Sequence, residues 1–278
     1  TLHHVKLSME EIRKSEFDID NKTVNGFVAI ALQLNPKIQK MDLERFPQIP
    51  ALAQYVKLMN RASCLEKDGV CVFTMEHAMA ALYGSGIDNC LIELSGEEFP
   101  ILDGSAKYYV EEIEKVGFEE QKADRRYFTV KEQMEFCSED GQTKITLLPD
   151  TDYNINLVVA YDSPYLQMQY ATYSEKVTDF AKEIAPCRTF VFLRELEMLL
   201  QHNLIKGGDL DNAIVIVDRE ISQEEVNRLA KLFNHDSIEV KQGILNNLDL
   251  YFDNEPARHK LLDVIGDLSL CGRFIKGR

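Results

Sequence analysis

Arg258-His259-Lys260-Leu261-Leu262-Asp263-Val264-Ile265-Gly266-Asp267, near the C-terminus, is the stretch on which the reading of this chain turns. Leu261, Leu262, Val264, Ile265 and Leu268 give it the thick apolar side of a packed helix. The helix is predicted to follow Asp253-Asn254-Glu255-Pro256, where a first-turn proline sacrifices no hydrogen bond. His259 and Asp263 lie four residues apart, so their side chains stack on one face and can grip a single ion. Far upstream, Thr74-Met75-Glu76-His77 reads as a second helix start that offers another imidazole beside a carboxylate. Two histidines, one aspartate and a spare glutamate are the side chains from which a hydrolytic zinc site is assembled.

Working outward, 278 residues with 45% hydrophobic and 28% charged content suit a soluble globular chain of one large or two ordinary domains. A formal charge of −15 argues against nucleic acid as a main partner, because that binding relies on clustered Lys and Arg. No apolar run reaches the roughly 20 residues a membrane span needs. The nearest, Phe27 to Leu34, predicts a strand. The N-terminus lacks the charged and apolar regions of a signal peptide, and cytoplasmic residence is the default expectation. Six cysteines (Cys64, Cys71, Cys90, Cys137, Cys187, Cys271) occur without a Cys-x-x-Cys pair. They signal neither a zinc knuckle nor a disulfide framework, and most are expected to be small buried hydrophobes.

The chain divides into two halves of similar make-up, 1–122 and 123–278, at the polar run from Gly117 to Arg126. In the first half, helical spacing over 73–82 predicts a helix with Thr74 as N-cap and Gly84-Ser85-Gly86 as breaker. A strand at Asn89–Leu94, a turn with N-cap at Pro100–Ser105 and an amphipathic helix at Lys107–Val116 follow. In the second half, Tyr127–Phe136 and Thr143–Leu148 read as strands, the second entered through an Asp140-Gly141 hairpin, and Asn154–Tyr161 as another. Ser222-Gln223-Glu224-Glu225 reads as a capping box for a helix to Leu232. The fold class is α+β: two similar two-layer sheet/helix domains with the active site between them.

Six blocks then carry a resemblance: Thr74–His77, Gly86-Ile87-Asp88-Asn89, Pro100–Ala106, Arg188-Thr189-Phe190, Gly207-Gly208-Asp209-Leu210-Asp211-Asn212-Ala213 and Arg258–Asp267. In order and rough spacing the chain resembles the zinc-dependent UDP-3-O-acyl-N-acetylglucosamine deacetylases, which perform the committed step of lipid A synthesis. The resemblance implies Zn2+ held by His77, His259 and Asp263, with Glu76 as general base. It implies Thr189 as an oxyanion donor, Phe190 and Lys260 beside a UDP-acyl-sugar substrate, and Asp267 as the carboxylate that orients a catalytic histidine. Gly208 falls in an insert near 191–217 whose apolar walls, here Leu196, Met198, Leu199, Leu200, Leu204 and Ile205, would hold the acyl chain. Some members are fused to a hydroxyacyl dehydratase, a further expected partner domain.

The chemistry is consistent with those positions. Three protein ligands leave the fourth place on zinc to a water whose pKa falls toward ~7. Glu76, one residue before a ligand, is turned about 100° around the helix, so it can take a proton without coordinating. A Thr189 hydroxyl would steady the oxyanion.

Two departures from the family stand out. Its Gly-His-x-x-Asn segment, which supplies the histidine paired with Asp267, lies past the point where this chain stops at Arg278, and His202 and His235 are no evident substitutes. Impaired turnover is therefore expected of the chain as given, general acid catalysis being worth about 10²- to 10⁴-fold. The family's Asp-Thr-x-Arg stands here as Leu58-Met59-Asn60-Arg61, and Thr1-Leu2-His3-His4 keeps only a remnant of an N-terminal Gly-Leu-His-Thr-Gly. Rival readings are a non-catalytic metal-binding relative that acts as a binding module, and a zinc amidohydrolase on another N-acetyl sugar.

Overall fold

The structure is a computed structural model that describes residues 2–4, 7–8, 25–29, 36–59, 62–161, 163, 166–196, 213–232, 237–241, 243–245 and 249–278. Its first half is built on a five-stranded sheet in the order Leu7–Ser8, Asn25–Ala29, Leu91–Ser95, Lys37–Lys40, Gln48–Pro50. All neighbours are antiparallel except the central pair, where Ile38 lies beside Ile92 in parallel register. Alternation turns Ile38, Ile92 and Leu94 into the core. The start of the predicted 27–34 strand falls in Asn25–Ala29; its remainder lies outside the described residues.

A three-stranded sheet, Val56–Met59, Ala62–Lys67 and Val70–Phe73, leads into helix α1, Glu76–Gly84. This helix starts later than its periodicity suggests, and Thr74 is not its cap. Thr74 sits at φ 56° and spends its hydroxyl on Glu98 Oε1 at 2.6 Å, while Met75 occupies the N-cap position without a side-chain bond. The predicted breaker holds, with Gly86 at φ 74°. Helix α2, Lys107–Val116, matches its predicted span. Asp103 Oδ1 accepts from the Ser105 N–H and hydroxyl, and Ser105 Oγ accepts from the Lys107 N–H, which makes the turn read from Pro100–Ser105; the N-cap position itself falls on Ala106, without a side-chain bond, because the helix starts one residue later than a Ser105 cap would set it.

In the second half the Asp140-Gly141 hairpin joins Met134–Cys137 to Lys144–Leu147, with Gly141 at φ 69°. The single strand expected over 127–136 is two. Tyr127–Thr129 pairs in parallel with Phe274–Lys276, and charged Lys131 and Glu132 separate it from the hairpin. Asn154–Val159 pairs with Gln169–Ser174. A four-stranded sheet runs Phe190–Phe192, Ile214–Ile216, Ile244–Leu245, Val240–Lys241. Helix α3, Gln223–Leu232, begins where Ser222 Oγ accepts the Glu225 N–H. Leu229, Val226 and Ala230 of α3 share a buried cluster with Leu193, Leu196, Val215 and Val217.

The last helix, α4 (Glu255–Ser269), takes Pro256 in its first turn as predicted. A second and larger cluster crosses the two halves: Ile38, Ile92 and Met79 from one side meet Leu261, Leu262, Ile265, Tyr173 and Phe274 from the other. Helices α1 and α4 pack face to face at its centre. They come close at Gly266, where a Cβ would stand 2.2 Å from the Glu76 carbonyl oxygen. Of the cysteines, Cys64, Cys90 and Cys187 are buried and Cys137 and Cys271 exposed; all six are free thiols. No described helix is long and apolar enough to cross a membrane. Replacing Gly266 with alanine is expected to push α4 off α1 and cost roughly 1–3 kcal/mol of stability, read as a lower midpoint in urea unfolding.

Candidate metal centre

The helix crossing decides what lies around it. With α1 starting against Gly266, its first residues Glu76 and His77 face the middle of α4, where His259 and Asp263 project one turn apart. The two imidazoles meet edge to face, ring centroids 5.0 Å apart at 83°. Asp263 Oδ1 lies 3.4 Å from His259 Nε2 and 3.7 Å from His77 Nε2. One donor atom from each of the three falls within 4.8 Å of the others, and no other such group of His, Cys, Asp or Glu occurs among the described residues.

Whether the donors suit a metal can be judged from spacing and from unmet bonding. Ligands about 2.1 Å from a tetrahedral ion stand roughly 3.4 Å from one another, close to the two distances seen here. Asp263 Oδ1 is buried and has no hydrogen-bond partner among the described residues, a costly condition unless a cation answers it. Its sister oxygen is held by the Lys260 ammonium at 3.0 Å, so a single carboxylate oxygen is presented to the imidazoles. His77 and His259 are 3% and 1% exposed. Burial, with His259 beside it, pulls His77 down to about 3, and burial lowers His259 as well, so both rings are neutral and available as ligands near neutral pH. For Asp263 burial opposes the charge, but His259 and Lys260 outweigh it and the carboxyl stays below its ordinary value. The arrangement fits a divalent cation with nitrogen and oxygen preferences.

Glu76 stays out of the ligand set. Burial pushes its carboxyl up to about 7, and the charges of Asp263 and Asp267 add to the rise. Asp267, one turn beyond Asp263, is pushed up to about 6 by desolvation and by Asp263, although its residue surface is exposed. Phe190 lies edge-on to His259 with centroids 6.5 Å apart, and the Lys260 ammonium sits 5.3 Å over the same ring. Thr189 is placed through its backbone, its N–H donating to the Gly104 carbonyl at 2.7 Å and its own carbonyl accepting from Ile214. Glu76, His77, Phe190, Lys260, His259 and Asp263 thus gather in one place, with Thr189 next along the strand and Asp267 at the edge. Gly208, Met198, Leu199, Leu200, Leu204, Ile205, His202 and His235 lie outside the described residues.

Three features of the site had no part in the sequence reading. The Cys187 carbonyl meets His259 Nδ1 at 3.0 Å. Arg188 and Glu255 form a buried ion pair behind it, Nε to Oε1 at 2.9 Å. The Tyr161 ring packs edge-on to Phe190 at 5.5 Å. Only the pair left a trace in sequence, since Glu255 precedes His259 by four residues and so shares its face of α4.

An α+β chain whose two halves each send a helix to a shared His-His-Asp cluster has a donor set that could hold a metal ion. A family model for UDP-3-O-acyl N-acetylglycosamine deacetylases matches residues 36–235 and 230–278, and one for a domain of unknown function matches 1–66. The chain belongs to the UDP-3-O-acyl-N-acetylglucosamine deacetylase family. It is 48% identical over 273 residues to a bifunctional enzyme LpxC/FabZ of Bacteroides thetaiotaomicron, across 95% of this chain and 59% of that protein. It is 44% identical over 280 residues to the enzyme of the same name from Porphyromonas gingivalis, across 98% and 60%. A UDP-3-O-acyl-N-acetylglucosamine deacetylase of Myxococcus xanthus is 40% identical over 238 residues, across 86% and 68%. The chain therefore spans about 60% of the length of the bifunctional relatives it matches.

Alanine at His259 is expected to abolish stoichiometric retention of a divalent metal while Lys260→Ala retains it, as read by elemental analysis after dialysis.

Proposed function

We propose that this chain carries the catalytic site for zinc-dependent hydrolysis of the N-acetyl group of a UDP-3-O-(3-hydroxyacyl)-N-acetylglucosamine, releasing acetate, in lipid A synthesis. The single observation that supports it most is the unpartnered Asp263 oxygen turned toward both imidazole Nε2 atoms, within a family whose relatives bear that activity in their names.

When bound, zinc supplies Lewis acidity and an acidified water near ~7. The protein's own residues do the rest. His77, His259 and Asp263 hold the ion. Glu76, beside them but uncoordinated, accepts the proton of the attacking water and has a carboxyl poised near that task. The Thr189 hydroxyl donates to the developing oxyanion of the acetamide. Phe190 forms an apolar wall next to His259, and Lys260 offers its ammonium to the polar part of the substrate across that ring. Asp267 orients the group that protonates the departing amine, so that cleavage of the C–N bond leaves acetate and a free amine.

The proposal extends to the layout of the chain. Residues 1–122 and 123–278 are two domains, and the segment near 191–217, with Gly208, walls the acyl chain. Of that wall Leu196 is described, and it is buried in the α3 cluster. The names of the bifunctional relatives support a fused hydroxyacyl dehydratase as partner domain. A UDP-sugar substrate agrees with work in the cytoplasm.

Glu76→Gln keeps shape and removes the base. It is expected to lower kcat by about 10²- to 10⁴-fold with KM and zinc content unchanged, measured by acetate release and elemental analysis. Unchanged kcat would remove Glu76 from the reaction; no acetate release from the unaltered, zinc-loaded protein on the UDP-acyl-sugar, fused to its natural flanking sequence, would remove the function.

A further inference from the structure

Three of the polar side chains on α4 form one stripe: Glu255, His259 and Asp263 are spaced by four residues and so stand on the same face. The first two grip the same peptide group. The Cys187 carbonyl lies 3.0 Å from His259 Nδ1, and a carbonyl only accepts, so Nδ1 carries the proton and donates. The Arg188 N–H, on the other side of that planar peptide, donates to Glu255 Oε1 at 3.0 Å. Because a trans peptide directs its N–H and C=O in opposite directions, fixing one end fixes the aim of the other.

Glu255 is itself held without slack. It is fully buried, and four N–H groups converge on its two oxygens. Oε1 accepts the Arg188 backbone N–H and Nε at 3.0 and 2.9 Å; Oε2 accepts Arg188 Nη2 and the Tyr251 N–H at 3.2 and 2.7 Å. Arg188 Nη2 also donates to the Asp249 carbonyl at 2.5 Å, and the guanidinium lies 4.3 Å over the Tyr251 ring. His77 differs, since its Nδ1 is buried with no partner. The protein therefore dictates the tautomer of one ligand histidine and not of the other.

We infer that Glu255 and Arg188 are positioning residues for the metal centre: they clamp the Cys187–Arg188 peptide so that its carbonyl holds His259 as the Nδ1–H tautomer, with the Nε2 lone pair aimed at the ion. The inference rests on the metal-holding reading of the site above. Outer partners of a ligand histidine commonly fix its ring in this way.

The metal-free protein tests it directly. In 15N NMR at neutral pH, His259 is expected as the Nδ1–H tautomer alone. Glu255→Gln, with one acceptor where four donors meet, is expected to admit the Nε2–H form and to weaken zinc binding by roughly 10- to 100-fold in chelator competition. Arg188→Lys keeps the backbone N–H and the charge, and is expected to keep the tautomer and stay closer to the unaltered affinity. A pair that only stabilised the fold would lower Tm yet leave tautomer and affinity unmoved well below it. An Nε2–H His259 in the unaltered protein overturns the inference, and so does a folded Glu255→Gln that keeps both. Should Glu255→Gln not fold, the tautomer of the unaltered protein and of Arg188→Lys decides. Failure of the unaltered chain to take up zinc speaks against the proposed function instead, because the tautomer is read without metal.

Discussion

Everything at the site depends on the near contact of two backbones, that of Gly266 on α4 with the Glu76 carbonyl on α1. A side chain at 266 would hold the helices apart, and the ligand atoms tolerate little displacement, since Asp263 Oδ1 reaches the two imidazoles at 3.4 and 3.7 Å. The absence of a Cβ thus serves helix packing and metal geometry at once. The apolar faces of Leu261, Leu262 and Ile265 hold the crossing in place. The polar stripe of α4 lies beside them and carries the donor atoms that could hold a cation.

Electrostatics at the crossing runs against stability and in favour of chemistry. Two imidazoles and two carboxyls sit where water is scarce, which makes the histidines poor bases and Glu76 a reluctant acid to ionise. Among the described residues Lys260 is the lysine or arginine paired with Asp263, and it reaches one of its two oxygens. Such groups are kept at a site for function rather than for the free energy of folding.

Much of this was legible in the sequence because it depended on short spacings. His259 and Asp263 are a local pair, Lys107–Val116 has a strong amphipathic period, and Asp140-Gly141 can do little but turn. The companionship of His77 with His259 came from the family resemblance, not from any local pattern, since their contact is made only by tertiary packing. Thr74 misled for a physical reason: its hydroxyl donates to Glu98, from a segment 24 residues on, and Met75 rather than Thr74 stands at the N-cap position, so the Thr74 oxygen does not accept from the helix N–H groups. The strand over 127–136 broke because its first part pairs with the far end of the chain, Phe274–Lys276, which no local pattern reveals. The clamp on the Cys187–Arg188 peptide left no more than the spacing of Glu255 and His259 in the sequence, because the group it grips is backbone, which every residue possesses.

The helix crossing joins residues near 77 to residues near 259, and Tyr127 to Phe274 is a similarly distant parallel pairing. Contacts between such remote parts of a chain are entropically late to close. Neither half alone owns the coordination set, so a ribosome must pass Asp263 before the cluster can exist. Capture of an ion by this cluster would then report that the two distant segments have folded against each other.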